Sequence, residues 1–85
     1  MTYPNPPKFV QLSANRMVGD CVEPAQHRDE VEFYSIYLGE PGSYQWVADF
    51  ESRVDALYAA YTMAADIGCK LDRSQYNAVK KVAPL

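Results

Sequence analysis

The segment GDCVEPAQHRDE, Gly19 to Glu30, gathers the residue types that do chemistry. It holds the thiol of Cys21, the chain's single imidazole at His27, and the carboxylates of Asp20, Glu23, Asp29 and Glu30. A Cys–His pair can generate a thiolate nucleophile. Cysteine, histidine and carboxylate together can hold zinc. The spacing here matches neither an established nucleophile signature nor a paired-ligand metal pattern. A small Cys/His enzyme or a zinc site is therefore the third reading of the chain. The same stretch, extended to Glu32, is more simply an acidic loop offset by Arg28. Such a loop is either solvated or a steering patch for a basic partner.

Other chemistry is thinly represented. The chain has no GxxxxGK[ST] or GxGxxG run to cradle phosphates. It has no G-x-S-x-G or H-E-x-x-H. No catalytic residue, metal ligand or cofactor is assigned, and a non-enzymatic protein is expected. The net charge of −3 argues against grip on a phosphate backbone, which needs clustered Lys and Arg. Lys70, Arg73, Lys80 and Lys81 form the one basic group, at one end of the chain. They carry the alternative reading, a nucleic-acid-binding protein using the C-terminal segment.

The elements that must position these residues come next. With 85 residues, 48% apolar and 22% charged, one domain is expected. Residues 1–8 form a Pro-rich arm, with Pro4, Pro6 and Pro7 favouring an extended path, and 9–85 form the domain. The arm also offers Pro4 to Pro7 as a weak PxxP ligand. MTYPNPPKF does not read as a signal peptide, and no apolar run approaches the roughly 20 residues that span a bilayer. A cytoplasmic protein is expected, with Cys21 and Cys69 as free thiols.

Phe9 to Leu12 reads as a short strand, with Asn15 as a turn. Met17 to Val22 reads as a second short strand bulged at Gly19, and Pro24 to Glu30 as loop. Val31–Leu38 and Ser43–Phe50 form a hairpin about Gly39-Glu40-Pro41-Gly42, where Pro presets one turn position and Gly supplies positive φ. Ser52, with Asp55 three residues on, caps a helix over 53–67 that ends at Gly68. Asp72 begins a shorter helix through about Val82, with Tyr76, Val79 and Ala83 on one side and Pro84 ending it; the alternative for YNAVKKV is a strand. The fold class is α+β: a small antiparallel sheet built on the 31–50 hairpin, joined by the 9–13 segment, with the long helix on one face.

The hairpin carries six of the chain's aromatic residues. Strict alternation puts Val31, Phe33, Ser35, Tyr37, Tyr44, Trp46, Ala48 and Phe50 on one face. It puts Glu32, Tyr34, Ile36, Leu38, Ser43, Gln45, Val47 and Asp49 on the other. The first face is nearly all apolar, so the helix is expected to lie on it, with Trp46, Phe33 and Phe50 filling the space left by Ala60 and Ala64. Tyr34, Ile36, Leu38 and Val47, with Tyr58 and Met63 on the helix borders, then form either an interaction surface or a second core covered by other segments. The leading expectation is a small non-enzymatic protein-interaction module, an adaptor or inhibitor. Its partner is another protein or a second copy of this chain. Its size and acidity suit an accessory protein of a bacterium, phage or plasmid.

Overall fold

A computed structural model describes residues 7–79. The architecture is α+β. The elements are β1 (Phe9–Val18), β2 (Cys21–Pro24), a 3-10 turn (Arg28–Glu30), β3 (Phe33–Gly39), β4 (Gln45–Phe50), α1 (Arg53–Ile67), β5 (Lys70–Asp72) and α2 (Ser74–Ala78). The Pro4–Pro7 ligand motif, apart from Pro7, lies outside the described residues, as do Lys80, Lys81, Ala83 and Pro84. The helix expected from Asp72 through about Val82 is shorter: Asp72 ends β5, α2 spans Ser74–Ala78, and Val79 is already extended at φ −69° and ψ 123°.

The sheet is organised around β1. Its order is β2-β1-β3-β4, antiparallel throughout, and β5 adds to β1 in parallel. Residues 9 to 18 form one ten-residue strand rather than a short strand, a turn and a bulged strand. Asn15 stays inside the ladder because it pairs with both Pro24 and Phe33, and its side chain finds a buried partner. Gly19-Asp20 is a two-residue hairpin turn between the closing pair Val18 and Cys21, with Gly19 at φ 60°.

β2 takes the outer half of β1, Asn15 to Val18, and β5 takes the inner residues Phe9 to Gln11. The stretch between them is closed by a side chain. The Ala14 N–H donates to Gln75 Oε1 at 2.6 Å, and Gln75 Nε2 donates to the Ala14 carbonyl at 2.9 Å. The Ala14 carbonyl also accepts from the Ala25 N–H at 2.9 Å, so the Gln75 carboxamide chiefly supplies the acceptor for the buried Ala14 N–H and ties α2 to the sheet.

α1 has the ends that the sequence predicts. Ser52 Oγ accepts from the Asp55 N–H at 3.3 Å, and Gly68 closes the helix in the left-handed region at φ 80°. Its buried residues are Ala56, Ala60 and Ala64, a stripe of methyl groups spaced by four. A helix with so thin a contact side sits close to the sheet, and the layer beneath it must be aliphatic and compact. Val10, Leu12 and Ile36 fill that layer and are completely buried. Each contributes about 1.5–3 kcal/mol of transfer free energy. Leu38, Val47, Phe50, Leu57, Met63, Leu71, Tyr76 and Val79 pack around them.

The helix therefore lies on the face of Tyr34, Ile36 and Leu38, not on the aromatic face as expected. The whole sheet decides this, not the hairpin alone. Cross-strand pairing sets Val10 beside Leu38, Leu12 beside Ile36 and Ala14 beside Tyr34. The alternate residues of β1 are Gln11, Ser13 and Asn15. Adding β1 makes the Tyr34 face the more apolar one, and burial follows the larger apolar area.

Candidate interaction face

The strict alternation assumed for β4 also fails, and the failure creates the site. Tyr34 pairs with Phe50, Ser35 with Asp49 and Ile36 with Ala48, but Tyr37 pairs with Trp46. Val47 is the extra residue of a β-bulge, and it packs against the core. In an unbroken strand Trp46, Ala48 and Phe50 share one face. With the bulge, Ala48 and Phe50 stay beneath α1, and Trp46 swings to the opposite face beside Tyr37. Bulges re-aim side chains in this way. The thin layer under the alanine stripe suits Val47 and has no place for an indole.

Trp46 is 61% exposed, yet its ring is held. Its Nε1–H donates to Asp49 Oδ1 at 2.9 Å. The same oxygen accepts from Ser35 Oγ at 2.6 Å, and Ser35 Oγ accepts in turn from Asn15 Nδ2 at 2.9 Å. The chain runs across β4, β3 and β1, and it starts deep: Asn15 is 3% exposed and Ser35 1%. Both are polar residues on the side of the sheet away from α1. Both Asp49 bonds use Oδ1, and Oδ2 stays unengaged among the described residues.

The loop before β4 crosses the far end of this face. A Cβ on Gly39 would meet the Ser43 carbonyl oxygen at 2.5 Å, and Gly39 has φ 140°, so only glycine lets the loop fold back. Tyr44 then reaches β5, where its hydroxyl donates to Asp72 Oδ2 at 3.1 Å. Burial first, then the Asp72 carboxylate, push the Tyr44 phenol up to about 12. Asp72 is held below the usual carboxylate range, chiefly by the Ser74 hydroxyl and Ser74 N–H, which donate to Oδ1 at 2.7 and 2.9 Å.

The residues singled out from the sequence are distributed as follows. Tyr34 and Ile36 are core residues, and Leu38, Val47 and Met63 pack against that core. They form the second core that was the alternative to an exposed patch. Tyr58 is on the surface, 74% exposed, in line with exposed Val54 and Tyr61 on the outer side of α1. Arg73 lies over the Tyr61 ring, 5.7 Å from its centroid, and Lys70 is exposed on β5.

Cys21 is exposed at the tip of the β1–β2 hairpin, beside exposed Val18 and Val22, and both cysteines are free thiols. No group of three or more potential metal ligands forms among the described residues. Much of the acidic stretch is tied down. Arg16 meets Glu23 at 3.4 Å and Glu30 at 3.6 Å, and the Glu32 carboxylate accepts from the Met17 N–H. A cleft lined by Ala14, Arg28, Val31, Tyr34, Arg53, Tyr76 and Val79 has room for about one water.

Sequence reasoning missed the Asn15–Ser35–Asp49–Trp46 chain. Its signal was present: the run Val10-Gln11-Leu12-Ser13-Ala14-Asn15 alternates apolar and polar, the mark of a strand with two unlike faces. No family model matches this chain, and comparison with curated proteins and with solved structures finds no match. No described helix is long and apolar enough to cross a membrane.

Proposed function

We propose that the protein is a small non-enzymatic protein-interaction module, an adaptor or inhibitor, whose docking surface is the open face of the sheet around Trp46. The observation that carries this reading is the anchored indole. Isolated exposed apolar residues are ordinary. A tryptophan turned outward by a bulge and fixed by a hydrogen-bond chain with buried roots is not explained by folding alone. Binding gains from such pre-organisation, because little side-chain freedom is lost on contact. Tryptophan is also the residue type most enriched among contacts that dominate binding energy. Tyr37 stands beside it across the bulge, and half-buried Phe33 extends the surface.

The nucleic-acid reading gains no support from this geometry. The open aromatic face carries Asp49 rather than a basic residue next to its exposed ring, and Arg73 is engaged with Tyr61. The test is a quantitative pull-down from host lysate with wild type and Trp46→Ala in parallel, both shown to be folded by circular dichroism. At least one protein should be depleted about tenfold by the substitution. Identical captured sets would overturn the reading.

A further inference from the structure

Resting on that docking reading, we infer the chemistry of the partner: a basic segment of another protein, seated by an arginine whose guanidinium stacks on the Trp46 indole and donates to Asp49 Oδ2. Three observations converge on a cation. First, Asp49 is exposed and spends only Oδ1 on the internal chain, so its second oxygen is an unused acceptor on the residue that holds the exposed ring. A carboxylate next to an indole face offers both halves of what a guanidinium takes: a planar π surface and a charged acceptor. Second, the strand that carries the ring is acidic. Asp49 on β4 and Glu51 just after it are exposed, no Lys or Arg lies between Glu40 and Glu51, and neither Asp49 nor Glu51 has an ion-pair partner among the described residues. Third, among the described residues β4 is the outermost strand on its side of the sheet, with no strand paired to its outer edge.

The bulge also says how the partner is read. An edge strand broken at Val47 is a poor template for adding a regular strand, since bulges disrupt the ladder and turn the edge away. Recognition therefore falls on side chains, and the Trp46–Asp49 pair is its centre. Arginine is favoured over lysine because a planar guanidinium can lie on the ring while an edge N–H reaches Oδ2.

Trp46 is the chain's one tryptophan, so its emission reports on the site directly. The probe is a capped Arg-Gly-Arg-Gly-Arg peptide, compared with the same peptide carrying lysine or the neutral isostere citrulline. The arginine peptide should shift Trp46 emission saturably, bind several-fold tighter than the lysine peptide, and weaken several-fold in 0.5 M salt. Asp49→Asn keeps an acceptor for Trp46 and Ser35 but removes the charge and turns the Oδ2 acceptor into a donor; it should lose affinity about tenfold. Equal binding of the citrulline peptide, or of Asp49→Asn, would overturn the inference. Panning an unbiased peptide library on wild type and Trp46→Ala separates the two levels. Trp46-dependent peptides without basic residues would sink the cation inference and leave the docking face standing. No Trp46-dependent peptide at all would sink both. A solution mass that drops from dimer to monomer in Trp46→Ala would assign the face to a second copy and also overturn the inference.

Discussion

Beneath α1 the sheet presents Val10, Leu12 and Ile36 to three alanines, and every one of these side chains is buried. On the opposite face the same strands present Asn15, Ser35, Asp49 and Trp46, joined by hydrogen bonds that lead from the interior to solvent. The first face is held by shape and area, and the second by direction. Apolar contacts are non-directional, so the covered face can fix the fold but cannot aim a side chain. The hydrogen-bond chain contributes less stability and instead places one ring. The comparison therefore forecasts that damage will grade by face: large losses of stability below the helix, small ones above, and loss of binding above alone.

Ile36→Ala should give the largest effect. The side chain is fully buried between β1 and α1, and the removed atoms leave a cavity that neighbouring alanines cannot fill. A loss of about 3–4 kcal/mol is expected, read as a lower midpoint in urea unfolding at constant m. A loss below 1 kcal/mol would mean that the covered face is not where stability resides.

Ser35→Ala tests the open face at its root. The hydroxyl accepts from Asn15 and donates to Asp49, so alanine leaves the Asn15 amide buried with a donor unmet. The expected loss is about 1–2 kcal/mol. The sharper readout is Trp46 fluorescence anisotropy, which should fall as Asp49 loses its inner support. Unchanged anisotropy would show that the indole is held by something other than this chain.

The sequence conveyed the two faces unevenly. Ser52 and Gly68 were legible because helix ends are decided within a few residues, by a side-chain acceptor and a left-handed backbone position. The Gly39–Gly42 turn was legible for the same reason. Asn15 was not, since a turn-forming residue stays in a strand only when the strand brings it a partner, here Ser35, 20 residues away in sequence. Val47 was not either: whether a strand bulges depends on how much room the helix leaves beneath it, and that room is set by Ala56, Ala60 and Ala64. β5 is only three residues long, too short to carry a period, and it exists because β1 offers it an edge. Trp46 thus changed faces through a competition between distant elements, which no local pattern records.

Tyr44→Phe removes a bond at the margin of the open face. A loss of about 1 kcal/mol is expected near neutral pH, and its pH dependence identifies the cause. The Tyr44 phenol is pushed from 10.0 up to about 12, so the stability linked to its proton is complete below pH 10 and is lost as pH rises toward 12. The difference between wild type and Tyr44→Phe should shrink across that window. Asp72 is lowered from 3.8, so its contribution is complete above that value and is lost as pH falls through the folded pKa. Because Ser74 does most of that lowering, the acid-side loss should survive in Tyr44→Phe. An acid limb that vanishes with the tyrosine would make the phenol, not Ser74, the group that holds Asp72.

Trp46→Ala should have the smallest effect on stability, within about 0.5 kcal/mol, as for a surface position. The ring is mostly exposed, its bond partner Asp49 can be rehydrated, and Val47 already fills the space a tryptophan would need inside. This near-neutral change is the decisive one for the comparison between faces. If chemical unfolding of Trp46→Ala matches wild type while binding is lost, the open face is built for contact and the covered face for folding. If the variant instead loses 2 kcal/mol or more, the indole belongs to the structure of the sheet, and the bulge would have to be explained by packing rather than by presentation.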